Sequence, residues 1–501
     1  MKKYLFFLLS VTCISSLLCS CSGKVSQNEG PATGQGGIQG DSQAGEPNDT
    51  REHGQSGGQD VEQSGGQDAE QTGGQDTDQS RGQGTEPDGV LYSLCNPYGE
   101  SACNTENGYY YLTGEVKELQ DGSYGMHLMY MDFASGREIY LCSTAGCKHD
   151  TADCPAVFPR SDFPISSTKL FVFQNSLYIL SREYDDDGSM STFTVGEEDE
   201  EYVPESKPAA LYRAKPDGTE RTKVYTFDTE LTVEDAIFGN DEGIYVITKK
   251  VSAEKDENQT YMTSSERKLM FLDLHSFSLE EVCPMTFDDN ISWNVIGCCQ
   301  YGFVLSGIDY GRELSRDEIW NDDAYKELYQ DSSVVYALLD RESGKLKEIY
   351  RQSNKNDNSA QISGDSLYLS SNENENIDVI NIGTGKKKTL CSFTQNQMMG
   401  VMDDMLCCRD WDLAGDHKWY FVNTNTGEIT KTDLVNKCNG WSLEFRGETA
   451  SDVLFVYDYD ATTTDNESYE IFRNKFALIS KKDLFAGKEN YRKIDMIGPG
   501  F

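Results

Sequence analysis

The chain has 501 residues and a formal net charge of −40, from 84 acidic against 44 basic side chains. That balance argues against a nucleic-acid partner, whose phosphates need a basic surface, and it permits cation binding or a solvated acidic surface. The hydrophobic fraction is 37%, and the deficit falls mainly in residues 22–89, so the remainder is apolar enough for a core. With 28 tyrosines and five histidines, the composition fits an aromatic-rich β protein better than a metal-dependent helical one.

The chain opens with Lys2-Lys3 and an apolar run over residues 4–18. This is short for a membrane span, which needs about 20 residues, and it reads as an export signal. The run ends in Leu18-Cys19-Ser20-Cys21, which resembles a bacterial lipobox. Cys21 is then the expected lipidation site and the first mature residue, with residues 1–21 as signal and lipobox. The mature chain would be extracytoplasmic, held to the cell membrane by lipid without spanning it. Residues 22–89 are rich in Gly, Gln, Ser and Asp and repeat an eight-residue unit from Gln59, Gln67 and Gln75. Such a segment cannot bury enough apolar surface to offset ordering entropy, so a disordered tether is expected. Its typical end-to-end distance would be roughly 45 Å, and about 220 Å when fully stretched.

From residue 90 onward one formula recurs. In residues 360–393, four short β-rich runs are separated by Gly364-Asp365 and by Gly383-Thr384-Gly385. The second run has relatives beginning at Gly108, Ser176, Gly243, Gly302, Met405 and Asp452, and the strand–turn–strand that follows recurs with each. Period-2 alternation and glycine turns dominate, while helical periodicity is scarce. Seven four-stranded repeats averaging roughly 59 residues predict an all-β fold, a single β-propeller over residues 90–501. Six or eight blades are the neighbouring alternatives. Residues 90–95 are expected to add an outer strand that closes the ring with the last blade.

The turns in residues 211–227 and 423–432 resemble those of TolB-like and WD40-like propellers of bacterial envelopes. Residues 103–112 and 130–158, with their cysteines, resemble a group of propeller lipoproteins from Gram-positive anaerobes. That resemblance implies a propeller head on a lipid anchor and brings no assigned reaction.

Propeller geometry puts the connections between second and third strands on one face, together with the connections between blades. Residues 181–208, 249–268, 307–333 and 458–474 are the long second-to-third connections. The first carries acidic runs at residues 185–187 and 197–201. The third predicts a helix over residues 315–331, with a capping box from Ser315 to Glu318 and an apolar stripe of Ile319, Trp320, Ala324 and Leu328. Asp410, Trp411 and Asp412, and likewise Asp458, Tyr459 and Asp460, pair rings with carboxylates on this face. Rings that stack on pyranose faces beside hydroxyl-accepting carboxylates suit a glycan, and clustered oxygens suit Ca²⁺, although no twelve-residue Ca²⁺ loop is present. Solvated acidic loops, and a Trp320 that merely packs its helix, are the plainer readings.

Cys142-x4-Cys147-x-His149-x4-Cys154 is the most specific local pattern. Three thiols and an imidazole can supply tetrahedral Zn²⁺ ligands, though the spacing differs from the common zinc knuckle. In an exported chain, disulfides among these three cysteines, Cys95 and Cys103 are the competing expectation, and free thiols in a reducing habitat are a third. Cys283, Cys298, Cys299, Cys391, Cys407, Cys408 and Cys438 fall on or beside strands, where cysteine packs as a small hydrophobe. There is no G-x-S-x-G elbow, no phosphate-binding Gly-Lys-Ser/Thr loop and no H-E-x-x-H pair. The expectation is therefore a binding or scaffold module for an envelope protein or glycan. A glycan-acting hydrolase or lyase and a structural or sensory lipoprotein are the alternatives.

Overall fold

A computed structural model describes residues 90–497, apart from 100, 165–166, 183–206, 256–260, 288–290, most of 313–321, 342, 355–357, 372–374, 394–396, 410–417 and 464–468. Seven antiparallel blades of four strands form a β-propeller. The innermost strands are Ala102–Asn104, Thr168–Phe173, Leu231–Gly239, Ile291–Cys299, Asn358–Ser363, Gln397–Met402 and Glu444–Glu448. Blade 5, the shortest copy, runs Asn358–Ser363, Ser366–Ser371, Asn376–Asn381 and Lys387–Ser392 in unbroken neighbour order. All seven expected repeats became blades.

Both faces of each blade are covered by its neighbours, which explains the apolar-Tyr-apolar second strands. In blade 4, Phe303 and Leu305 point into the cluster shared with blade 3, while Val304 between them points into the cluster shared with blade 5. In blade 1, Tyr110 and Leu112 face blade 2, and Tyr109 faces blade 7. Side chains alternate along a strand, so one strand serves two interfaces. Each fully buried Phe or Leu contributes roughly 1.5–3 kcal/mol by leaving water, and Phe171, Phe303, Phe421 and Phe455 are all of this kind.

The turn between third and fourth strands has its own chemistry. Asp132, Asp340, Asn381 and Asn423 each accept a side-chain hydrogen bond from the backbone N–H three residues on, at Ser135, Ser343, Thr384 and Thr426. The next residue is glycine each time, and Gly427 shows why. Its φ is +73°, and a Cβ there would meet the Leu390 carbonyl oxygen at 2.4 Å.

Two local expectations are corrected. Residues 90–95 add no outer strand to the last blade. Tyr92–Ser93 pairs instead with the innermost strand of blade 3, Tyr92 opposite Gly239. Blade 7 is built wholly from Glu444–Glu448, Asp452–Thr463, Tyr469–Ser480 and Arg492–Lys493. Closure comes from the blade 7–blade 1 apolar cluster and from the C-terminal segment. Arg137 and Asp495 form a parallel bridge, and Ile497 N–H donates to the Glu138 carboxylate at 2.9 Å.

Residues 249–268 and 458–474 are mostly strand, not loop. Gly243–Lys255 and Tyr261–Asp273 form a hairpin of 13-residue strands, and blade 7 has 12-residue strands at Asp452–Thr463 and Tyr469–Ser480. Blade 5 has six, so the long hairpins stand about 20 Å further out on the second-to-third face at about 3.3 Å per residue.

The described helix is Asp322–Asp331, inside the predicted span of residues 315–331. It docks through Tyr325, whose hydroxyl lies 2.9 Å from that of Tyr310, and through the Tyr329 carbonyl, which accepts from Asn354 Nδ2 at 3.0 Å. The Ser315 cap, Ile319 and Trp320 lie outside the described residues. No helix among the described residues is long and apolar enough to cross a membrane.

Candidate metal centre

Three of the four cluster residues sit where the chain leaves blade 1's outer strand, Arg137–Tyr140, and turns back toward the blade. Gly146 (φ +73°) and His149 (φ +55°) are both left-handed, and Cys147 N–H donates to the Thr144 carbonyl at 3.2 Å. Cys154 then leads into the strand Val157–Pro159, which pairs with the beginning of Tyr124–Asp132: His127 lies opposite Val157 and Met126 opposite Phe158. This pairing pulls the end of the excursion back onto its start. Cys142, Cys147, His149 and Cys154, each offering one ligand atom, thereby bring those four atoms within 4.8 Å of one another.

His149 Nδ1 is 3.4 Å from the Cys154 sulfur, and the His149 backbone N–H donates to the Cys147 sulfur at 3.4 Å. Tyr140 stacks on the His149 ring with centroids 4.3 Å apart and meets the His127 ring edge-on at 5.1 Å. His127 Nε2 lies 2.7 Å from the His149 carbonyl; the carbonyl can only accept, so Nε2 carries the proton. Cys154 is buried against Leu119, Ala156 and Val157. Burial pushes its thiol up to about 12. Burial also raises Cys142, but hydrogen bonds from Thr144, Cys154 and Cys147 outweigh it and leave that thiol below its ordinary value. Burial lowers both His149 and His127, keeping the imidazoles neutral and able to act as ligand or donor.

Blade 2 reaches the same junction. Arg221 donates to the carbonyls of Pro155 at 3.3 Å and Val157 at 2.9 Å, and its guanidinium lies 4.2 Å from the Phe158 ring centre.

The other expected site residues part company. None of the twelve described cysteines is joined in a disulfide. Cys95 lies in the hub, donating to the Asp235 carbonyl at 3.2 Å and accepting from Ile237 N–H at 3.3 Å. Cys103 is buried in the cluster between blades 1 and 2, so the two share no site. Asp458 and Asp460 flank Lys475 at 3.3 and 2.6 Å. The ammonium thus neutralises both carboxylates. Tyr459 is buried between blades 7 and 1, its hydroxyl donating to the Glu444 carboxylate. These three residues are therefore structural parts of a strand. Asp410, Trp411, Asp412, Trp320 and Cys21 lie outside the described residues. His127, Tyr140 and Arg221 were missed from the sequence, because nothing in their spacing marks them as neighbours of the cluster.

Fold and site together define a seven-bladed β-propeller carrying a Cys₃His cluster at one blade junction. No family model matches the chain, and no curated protein matches it. Among solved structures it is similar to a puromycin hydrolase at 10% identity and TM-score 0.41, over 80% of this chain and 54% of that one. It is similar to a Pyrococcus horikoshii acylaminoacyl peptidase at 9% identity and TM-score 0.42, over 81% and 52%. An oligogalacturonate lyase in complex with manganese gives 13% identity and TM-score 0.37, over 73% and 87%. The chain spans about half the length of the first two, and no activity is carried over from any of them.

Proposed function

We propose that this chain is a membrane-anchored surface lipoprotein whose propeller head binds an envelope protein or glycan through the face bearing the long hairpins. The observation that supports this most is the filled hub. Leu91 is buried among side chains of blades 3 and 4, including Trp293 and Val295. Leu94 N–H donates to the Ile237 carbonyl at 2.9 Å. Asn96 Nδ2 donates to the Arg446 carbonyl of blade 7 at 3.0 Å, and Tyr98 meets Phe445 edge-on. Residues 91–98 thus touch the innermost strands of blades 3, 4 and 7. These inner edges are already covered, whereas the hairpins of blades 3 and 7 run past the six-residue strands of blade 5 on the second-to-third face.

Two measurements test the reading. Metabolic labelling with an alkyne palmitate should tag the wild type and fail on Cys21→Ser; equal labelling of both removes the anchor. The purified head should capture a defined glycan on an array or a partner after cross-linking on cells. Depolymerisation of envelope or plant polysaccharides by the same preparation would replace the binding reading with the enzymatic one.

A further inference from the structure

We propose that Cys142, Cys147, His149 and Cys154 bind one Zn²⁺ as a closed structural site that fastens the blade 1–blade 2 connection. The inference goes beyond the binding reading and stands without it.

The donor set comes first. Three sulfurs and one imidazole nitrogen, with no oxygen donor, form a borderline-soft set that selects Zn²⁺ over Ca²⁺ or Mg²⁺. At roughly 2.3 Å per Zn–S bond, sulfurs on a tetrahedron lie about 3.8 Å apart. Four ligand atoms all within 4.8 Å, with His149 Nδ1 at 3.4 Å from the Cys154 sulfur, need only small movements to close on that geometry. A disulfide would use two sulfurs and leave the third thiol and the imidazole beside it without a shared purpose.

The surroundings carry the second half. His127 donates to the carbonyl of His149, and Tyr140 stacks on the ligand ring. Both hold the left-handed His149 in place, which is the role of outer groups around metal ligands. The segment from Cys142 to Cys154 reads CSTAGCKHDTADC. Apart from its cysteines it holds only two alanines as apolar side chains, too few to order thirteen residues by burial. Metal ligation supplies what the apolar residues do not. The ordered connection then presents Pro155 and Val157 carbonyls to Arg221 of blade 2. Four ligands from one chain leave no open position for substrate, so the role is structural.

The test uses the full chain, produced with zinc in the medium and purified without oxygen. Elemental analysis is expected to find about one zinc per chain, and exchange into Co²⁺ should give the thiolate charge-transfer and intense d–d bands of tetrahedral ligation. A strong chelator should release the metal, expose three further thiols to titration, and open residues 143–153 to protease. His127→Gln should keep the cobalt bands while weakening affinity about 10–100-fold, and Cys147→Ser should lose the thiolate-rich spectrum. Metal well below one per chain, octahedral cobalt bands in the wild type, or a mass-mapped disulfide within the cluster would each overturn the proposal. The wild-type cobalt spectrum decides the matter even where a variant fails to fold.

Discussion

Arg221 of blade 2 donates to two carbonyls of the blade 1–blade 2 connection, so its removal offers a sharp test of how the first two blades are joined. The change is Arg221→Met, which keeps an aliphatic stem and removes the charge and the planar donors. The hydrogen bond to Val157 at 2.9 Å comes from a charged donor and contributes about 1.5–3 kcal/mol. The longer one to Pro155 at 3.3 Å contributes less. The guanidinium over Phe158 at 4.2 Å, with Phe163 at 5.4 Å, adds about 1–2 kcal/mol in a largely desolvated setting. Allowing for non-additivity among neighbours, the loss should be about 3 kcal/mol. If the ring unfolds as one unit, about 400 residues at about 2.1 cal/mol/K each give an unfolding entropy of about 0.8 kcal/mol/K, so Tm should drop by about 3–4 °C. Calorimetry on the metal-replete protein measures it, and Arg221→Lys should recover less than half, since an ammonium lacks the planar fork. A Met variant melting within about half a degree of wild type would show that the contact is incidental and that the junction is held by other means.

Three further outcomes follow from the packing. Phe303→Ala, at a fully buried ring edge-on to Phe238 and Tyr245, should cost about 3–5 kcal/mol in urea unfolding; a loss under about 1 kcal/mol would contradict the interface assignment. Leu91→Ala should cost about 2–5 kcal/mol if residues 91–98 fill the hub, and an unchanged midpoint would mean they lie elsewhere. Glu138 is buried, accepting from Tyr111 hydroxyl and Ile497 N–H, and burial raises its pKa despite those bonds. A raised folded pKa means its contribution is present below the ordinary Glu range and is lost as pH rises through the folded value. The stability of wild type minus that of Glu138→Gln should therefore fall as pH rises from the ordinary Glu range; a difference that rises or stays flat would refute the burial effect.

The repeat was legible because its physics is local. A second strand such as Gly302-Phe-Val-Leu305 is apolar on both sides, since both sides are covered, and the Asp/Asn-x-x-Ser/Thr-Gly turn announces itself at residues 132–136, 340–344, 381–385 and 423–427. Where blade 3 departs from that turn, Asp273 still accepts from Ser276 N–H but Phe277 takes the left-handed place of glycine, and its ring packs against the blade 2–blade 3 cluster. Asp458-Tyr459-Asp460 misled for a related reason. Polar–aromatic–polar alternation marks a strand as well as a loop, and only the pairing with residues 473–475 shows which.

The seven blades and the membership of the Cys₃His set were legible in the sequence, because turns, alternation and spacing are properties of neighbours along the chain. Tertiary structure alone decided where Tyr92–Ser93 went, since a two-residue strand has too little pattern to choose among seven inner edges. It alone brought His127 and Arg221 to the cluster, through a three-residue pairing and a contact across blades. Convergence of four donors within 4.8 Å depends on the path between them, and that path is fixed by what the ends pair with, information no spacing contains.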